Sequence, residues 1–170
     1  GAQRILELQL ASFMPVRANC IEMGGAPGGP RMLFTGEAGV LRFVTGYSLE
    51  GAVRGTPQLV ELWVAPGERG QGARLLMNEI PWRGATGMGP FCGPPPAPGP
   101  MPSIAFQTPP QMPSTFVLAD RIGAAQFFYR EPGGLQEPSK PWLTRWPRTD
   151  LWPEAVKVEI VPGPDQQGRI

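Results

Sequence analysis

Residues 127–161 read FFYREPGGLQEPSKPWLTRWPRTDLWPEAVKVEIV, and how this stretch divides decides the fold. Its first residues complete a run from Ala124 to Arg130 in which Ala125, Phe127 and Tyr129 share one face. At its far end Val156, Val158 and Ile160 alternate with Lys157 and Glu159. That period of two predicts a half-buried strand over Ala155 to Val161. A long loop lies between them and carries Trp142, Trp146 and Trp152. Indoles in such a loop serve as pins, with the ring in the core and the N–H edge on a polar partner. They can also form a sugar-stacking platform, and both readings stand at this point. The stretch holds no reaction centre.

Moving toward the N-terminus, the same alternation recurs in short pieces. Arg31 to Thr35 and Val40 to Thr45 flank Gly36-Glu37-Ala38-Gly39, a hairpin signature. Gln58 to Val64 predicts the next strand, with Val60, Leu62 and Val64 on its apolar face. Pro66 to Gly72 predicts a turn, with Ala73 to Ile80 as the return strand. Val16 to Met23 is an extended segment, and Gly24 to Pro30 a loop. Phe116 to Ala119 resumes strand character. Residues 86–113 form a Pro-rich excursion that contains Pro94-Pro95-Pro96 and fits neither a helix nor a central strand.

Only the N-terminus has helical spacing. Leu6, Leu10, Phe13 and Met14 fall on one face from Ala2 to Met14, and Ile5, Leu8 and Ala11 widen it. Pro15 stops the helix because it lacks an N–H and clashes with the preceding turn. One helix followed by seven or eight strands predicts an α+β fold, with the helix packed on antiparallel β-sheets. The 170 residues then form a single domain. Within it lie the helix at 1–14, a first β region at 31–80, the Pro-rich loop at 86–113 and a second β region at 115–170.

Composition narrows function by exclusion. Gly and Pro number 23 each, which favours short strands and long loops over a helical bundle. With 15 basic and 14 acidic residues, the balance of +1 makes no electrostatic case for nucleic acid or an anionic membrane. Histidine is absent, which removes Ser-His-Asp and Cys-His nucleophilic sites and His-ligated zinc. Cys20 and Cys92 are too few for a four-thiolate site. They either pair, closing a loop whose entropy is worth roughly 4 kcal/mol, or stay as two thiols. No calcium-loop spacing and no convincing carboxylate pair is present.

One segment has a catalytic look. Leu62 to Ala73, LWVAPGERGQGA, resembles the acetyl-CoA-binding loop of the GNAT acetyltransferases. In that family a strand ends in Gly-rich backbone that cradles a pyrophosphate at a helix N-terminus. Val64, Pro66, Arg69, Gly70 and Gly72 match, and the resemblance implies Arg69, Gly70 and Gly72 as the cofactor contacts. The pattern departs at Arg74, where Gly or Ala is needed. Pro81 also truncates the segment that should be a long helix.

A second resemblance covers more of the chain. Arg4 to Met14 is similar to the post-membrane part of a pilin helix. Phe34 to Thr45, FTGEAGVLRFVT, resembles a first hairpin of the form F-x-G-x-x-x-x-L-x-F-V. Phe127 to Val161 resembles a closing section in which an aromatic strand and two spaced tryptophans lead to a Leu-Pro-x-Ala-Val strand. Leu151-Trp152-Pro153-Glu154-Ala155-Val156 stands for that motif, with Trp152 inserted. Together these resemble the periplasmic part of a minor pseudopilin, the J-type subunit of type II secretion or a related minor type IV pilin. The resemblance implies a pilin-like fold and a non-enzymatic role in assembling a pseudopilus tip, with no cofactor. Its partners are other minor pseudopilins, met on the periplasmic side of the bacterial inner membrane. Its membrane attachment is a helix upstream of this chain. Ile5, Leu6, Leu10 and Phe13 are then the expected partner contacts. The acetyltransferase and a secreted carbohydrate-binding β module remain the alternatives.

Overall fold

A computed structural model describes residues 1–21, 27–84, 91, 108–133, 140–148 and 150–164. The chain begins with helix α1, Ala2–Ala11. Strands follow in order: β1 Arg17–Ile21, β2 Pro27–Met32, β3 Phe34–Gly36, β4 Val40–Ser48 and β5 Val53–Pro66. The rest are β6 Ala73–Pro81, β7 Phe116–Ile122, β8 Ala124–Arg130 and β9 Ala155–Val161. All pairings are antiparallel. They build a five-stranded sheet in the order β3-β4-β5-β6-β7 and two-stranded sheets β1-β2 and β8-β9.

This corrects the α+β expectation. The described residues are 50% strand and 12% helix, a β-rich fold with one short N-terminal helix among them. The helix stops at Ala11 because the residues after it join the sheet. Phe13 bridges Thr45, and the Met14 N–H donates to the Val44 carbonyl at 2.8 Å. At ten residues the helix is too short to be stable alone, and it depends on what it packs against. Two strand segments exceed the sequence expectation. The Gly- and Pro-rich residues 27–30 belong to β2, with Pro30 opposite Asn19 and Pro27 opposite Ile21. β5 starts at Val53, five residues before the apolar alternation, because Tyr47 and Ser48 pair with Arg54 and Val53.

The core lies on one face of the five-stranded sheet. Leu41 and Phe43, Val60 and Leu62, and Leu75 and Met77 come from three adjacent strands. Phe127 and Tyr129 of β8 cover them, with Trp146 and Leu6, so sheet packs on sheet and the helix fills one end. The opposite face holds a smaller cluster of Leu33, Val44, Leu59 and Phe91. Phe91 belongs to the Pro-rich excursion and meets Trp82 edge-on at 6.4 Å.

That second face also buries charge. Arg42, Glu61 and Asn78 stand in register across β4, β5 and β6. Glu61 accepts from Arg42 Nε at 2.7 Å and from Asn78 Nδ2 at 3.2 Å. Asn78 also donates to the Pro110 carbonyl and accepts from Thr115 Oγ1 at 2.6 Å. The row therefore ties the end of the excursion to the sheet. Removing one member would strand its partners without water.

Gly36 has the tightest steric constraint near the core. A Cβ there would overlap the Tyr129 ring, whereas one at Gly39 would meet open space. Gly36→Ala is expected to cost about 1–3 kcal/mol through overpacking, and Gly39→Ala less than about 0.5 kcal/mol. Urea unfolding of the two variants checks the difference.

Candidate functional site

The turn Glu37-Ala38-Gly39 between β3 and β4 is where three separate parts of the chain meet. Tyr129 is fully buried, and its hydroxyl donates to the Glu37 carbonyl at 2.9 Å, with the Val40 carbonyl 3.4 Å away. Burial, and then the charge of Glu37, push that hydroxyl's pKa well above its ordinary value, so it remains a donor. The Phe127 N–H donates to the Ala38 carbonyl at 2.9 Å. The Val64 N–H donates to the Gly39 carbonyl at 2.9 Å, and the Trp146 N–H to the Gly36 carbonyl at 2.9 Å. Arg145 Nε adds an ion pair to Glu37 at 3.0 Å. The turn carbonyls of Glu37, Ala38 and Gly39 lack ladder partners; Tyr129 and Phe127 of β8 supply two of them and Val64 of β5 the third.

The three tryptophans of the long loop take separate posts. Trp146 is 4% exposed, meets Phe34 edge-on and donates from Nε1 to the Leu151 carbonyl at 3.0 Å. Trp152 meets Phe13 edge-on at 6.2 Å and carries Arg17 on its ring at 5.0 Å. Trp142 is the most exposed of the three at 38%, yet Arg130 and Lys157 both stack on it. Lys157 also lies 4.5 Å over the Phe128 ring. Trp146 thus works as a pin with its N–H on a polar partner, the Trp152 ring packs while its buried Nε1 has no partner among the described residues, and the exposed Trp142 ring carries cations of the chain itself.

Of the four residues expected to meet a partner, Leu6 is buried and Ile5, Leu10 and Phe13 are partly buried. Leu6 is buried in the main core, and Ile5, Leu10 and Phe13 pack against it. Phe13 alone touches the rings of Phe34, Phe43 and Trp152. The exposed side of α1 is Gln3, Arg4, Glu7 and Ala11, with Gln3 donating to Glu7 one turn on. Polar ties hold the other side down. The Glu79 carboxylate accepts from Gln9 Nε2, Ser48 Oγ, Leu49 N–H and Glu50 N–H. Thr45 Oγ1 donates toward the Gln9 and Ser12 carbonyls. Sequence reasoning missed Glu79. Its one signal was an acidic residue in register with Val60 on the apolar face of β6.

Arg69, Gly70 and Gly72 sit in a hairpin connection. A single 3-10 turn, Glu68–Gly70, joins β5 to β6. Arg69, Gly70 and Gly72 have φ of 57°, 72° and 64° to turn the chain back. A strand follows the loop, so the helix N-terminus that would hold a pyrophosphate is not formed there. The Cys20 and Cys92 pairing lies outside the described residues: Cys92 is not described, and of Cys20 only the backbone is, within β1. Among the described residues, no group of three or more His, Cys, Asp or Glu is placed to hold a metal ion. Among them too, no helix is long and apolar enough to cross a membrane.

A cleft of about 240 Å³ opens between α1 and β9, lined by Leu10, Phe13, Phe34, Pro153, Glu154, Ala155 and Val156. β9 pairs with β8 on one side, and among the described residues no strand pairs with its other side. A helix face, an apolar cleft and an open strand edge are therefore adjacent. The arrangement suits the docking of another polypeptide.

Burial raises the Glu37 carboxyl above its ordinary 4.5, against the pull of Arg145. The folded state therefore holds this proton more tightly than the unfolded chain does. Its contribution is complete below about pH 4.5 and is lost as pH rises through the folded value. Urea unfolding from pH 4 to 7 is expected to show that loss, and Glu37→Gln to remove it.

Comparison with protein-family models, with curated proteins and with solved structures finds no match to this chain.

Proposed function

We propose that the chain is a non-enzymatic assembly subunit of a pseudopilus or pilus tip, of the kind that serves type II protein secretion. One observation carries the reading. The two stretches that resemble minor pseudopilins, Phe34 to Thr45 and Phe127 to Val161, are the two sides of one junction. Tyr129, Trp146 and Arg145 from the second hold the Gly36–Val40 turn of the first. Residues placed by such a junction are under joint constraint, which gives the matched motifs a physical reason to occur together. The β-rich fold does not enter this reading; the residues do.

The carboxylates of Glu61 and Glu79 give further support, because they are spent on tethering. Glu61 ties three strands, and Glu79 ties α1 and the β4–β5 turn to β6. What remains available is surface: the polar side of α1, the cleft beside it and the edge of β9. In this role the partners are other minor pseudopilins, met on the periplasmic side of the inner membrane.

The acetyltransferase reading loses its basis in the β5–β6 hairpin, and the carbohydrate module loses its free indole platform to Arg130 and Lys157. The test of the assembly reading uses the exposed side of α1. Arg4→Glu with Glu7→Lys is expected to leave the thermal midpoint within a few degrees and to cut co-purification with co-expressed minor pseudopilins at least about tenfold. Co-purification at the unmodified level, or none with the unmodified chain, counts against it.

A further inference from the structure

The outer edge of β9 has a definite hydrogen-bonding pattern. The Phe127 and Tyr129 N–H groups donate away from β9, to the Ala38 and Leu143 carbonyls. Their register partners on β9 are Val158 and Val156. Those pairs are therefore of the non-hydrogen-bonded kind, and Val156, Val158 and, one step on, Ile160 aim their backbone groups at the edge that is open among the described residues. The same three residues lie on the core-facing side, in register with Tyr129, Phe127 and Ala125. Lys157 and Glu159 occupy the opposite side, with Lys157 Nζ on Glu159 Oε1 at 2.7 Å.

We infer that this edge is a self-complementary dimer interface, occupied by β9 of a second copy of the chain. An open strand edge is a template for strand addition, and charges on it decide which strand is accepted. The segment AVKVEIV reads as its own complement when turned antiparallel about Val158. Val158 then faces Val158 of the second copy, and Val156 faces its Ile160. These residues have their N–H and C=O groups outward, so each facing pair exchanges both bonds. On the other side Lys157 faces Glu159 of the second copy, and Glu159 faces its Lys157. Any register that places Lys157 opposite Lys157, or Glu159 opposite Glu159, brings like charges together. The sequence thus selects one pairing.

Packing supports the same arrangement. Ile160 is the most exposed core-side residue of β9, at 37%. In the two-fold pairing it lies opposite Val156 of the other copy, beside the cleft that Leu10, Phe13 and Phe34 help to line. Each copy's Ile160 thereby covers the other's cleft. The axis runs perpendicular to the sheet, and β8-β9 becomes half of a continuous four-stranded sheet. The contact is isologous and closes at two copies.

A concentration series of this chain by sedimentation velocity tests the proposal. The unmodified chain is expected to pass from monomer to dimer as concentration rises. Lys157→Glu alone and Glu159→Lys alone each set like charges opposite one another twice per dimer. Each is expected to weaken dimerisation at least about tenfold. The double variant Lys157→Glu/Glu159→Lys restores opposite pairs and is expected to restore dimerisation to within about threefold. Glu159 touches no aromatic ring, so its variant keeps the Lys157 stack on Phe128 and Trp142. Far-UV circular dichroism confirms that each variant is folded. A chain that stays monomeric at every concentration overturns the inference. So does a single reversal that dimerises like the unmodified chain, or a folded double variant that does not recover.

Discussion

The structure depends on a buried tyrosine whose hydroxyl reaches the backbone of a turn 92 residues away in sequence. Tyr129 brings a large apolar ring into the core between the two sheets and one polar atom that needs a partner there. The Glu37 carbonyl is that partner, and Gly36 leaves room for the ring because it has no Cβ. Neither condition works without the other. A side chain at Gly36 would push the ring out, and without the ring the turn's carbonyl would be buried unpaired. Phe34 and Trp146 complete the setting, Phe34 meeting Tyr129 edge-on at 5.9 Å. A hairpin formed early in the chain is thus closed only when the last third arrives.

The same logic of supplied partners recurs at a smaller scale. The β4–β5 turn points its Leu49 and Glu50 N–H groups at Glu79, a carboxylate two strands away that also receives Gln9 from the helix. The end of the Pro-rich excursion is fastened through Thr115 and Pro110 to Asn78, and through it to the buried Arg42 and Glu61 pair. Each fastening joins segments far apart in sequence. Such contacts cost loop closure before they return anything, so cooperative folding is the expected consequence.

Strand positions were legible wherever burial alternates. Val156, Val158 and Ile160 marked β9, and Val60, Leu62 and Val64 marked the inner part of β5. Alternation says nothing where a strand runs outside the core. Val53 to Thr56 of β5 is exposed, and pairing with β4 alone extends it. The Gly-Gly-Pro of β2 looked like loop for the same reason, because its strand character comes from β1. The apolar face of α1 was legible, but not what it meets. Leu6, Leu10 and Phe13 suit a partner or a core equally in sequence, and only the placement of Phe34 and Trp152 assigns them to the core. Fold class suffered from the same gap. A helix with good periodicity points to an α+β fold, while its ten residues are a minor part of a molecule built from sheets. Of the candidate site, the Trp142–Trp152 loop announced itself. The edge of β9 that is unpaired among the described residues did not, because which side of a strand remains open is a property of the whole topology.

The surfaces that the proposed assembly role would use are the edge of β9 and the polar side of α1. That account stands on the two halves of the chain forming one cooperative unit at the Gly36–Val40 turn. Native-state hydrogen exchange by NMR measures this directly. The account predicts that the amides of Val64, Phe127, Tyr129 and Trp146 open with the same free energy as the inner strands β4 and β5, in one global event. Exchange of Phe127, Tyr129 and Trp146 at a clearly lower free energy, while Leu41, Phe43 and Leu62 stay protected, would contradict it. The last third would then be an appendage to the fold rather than its closure.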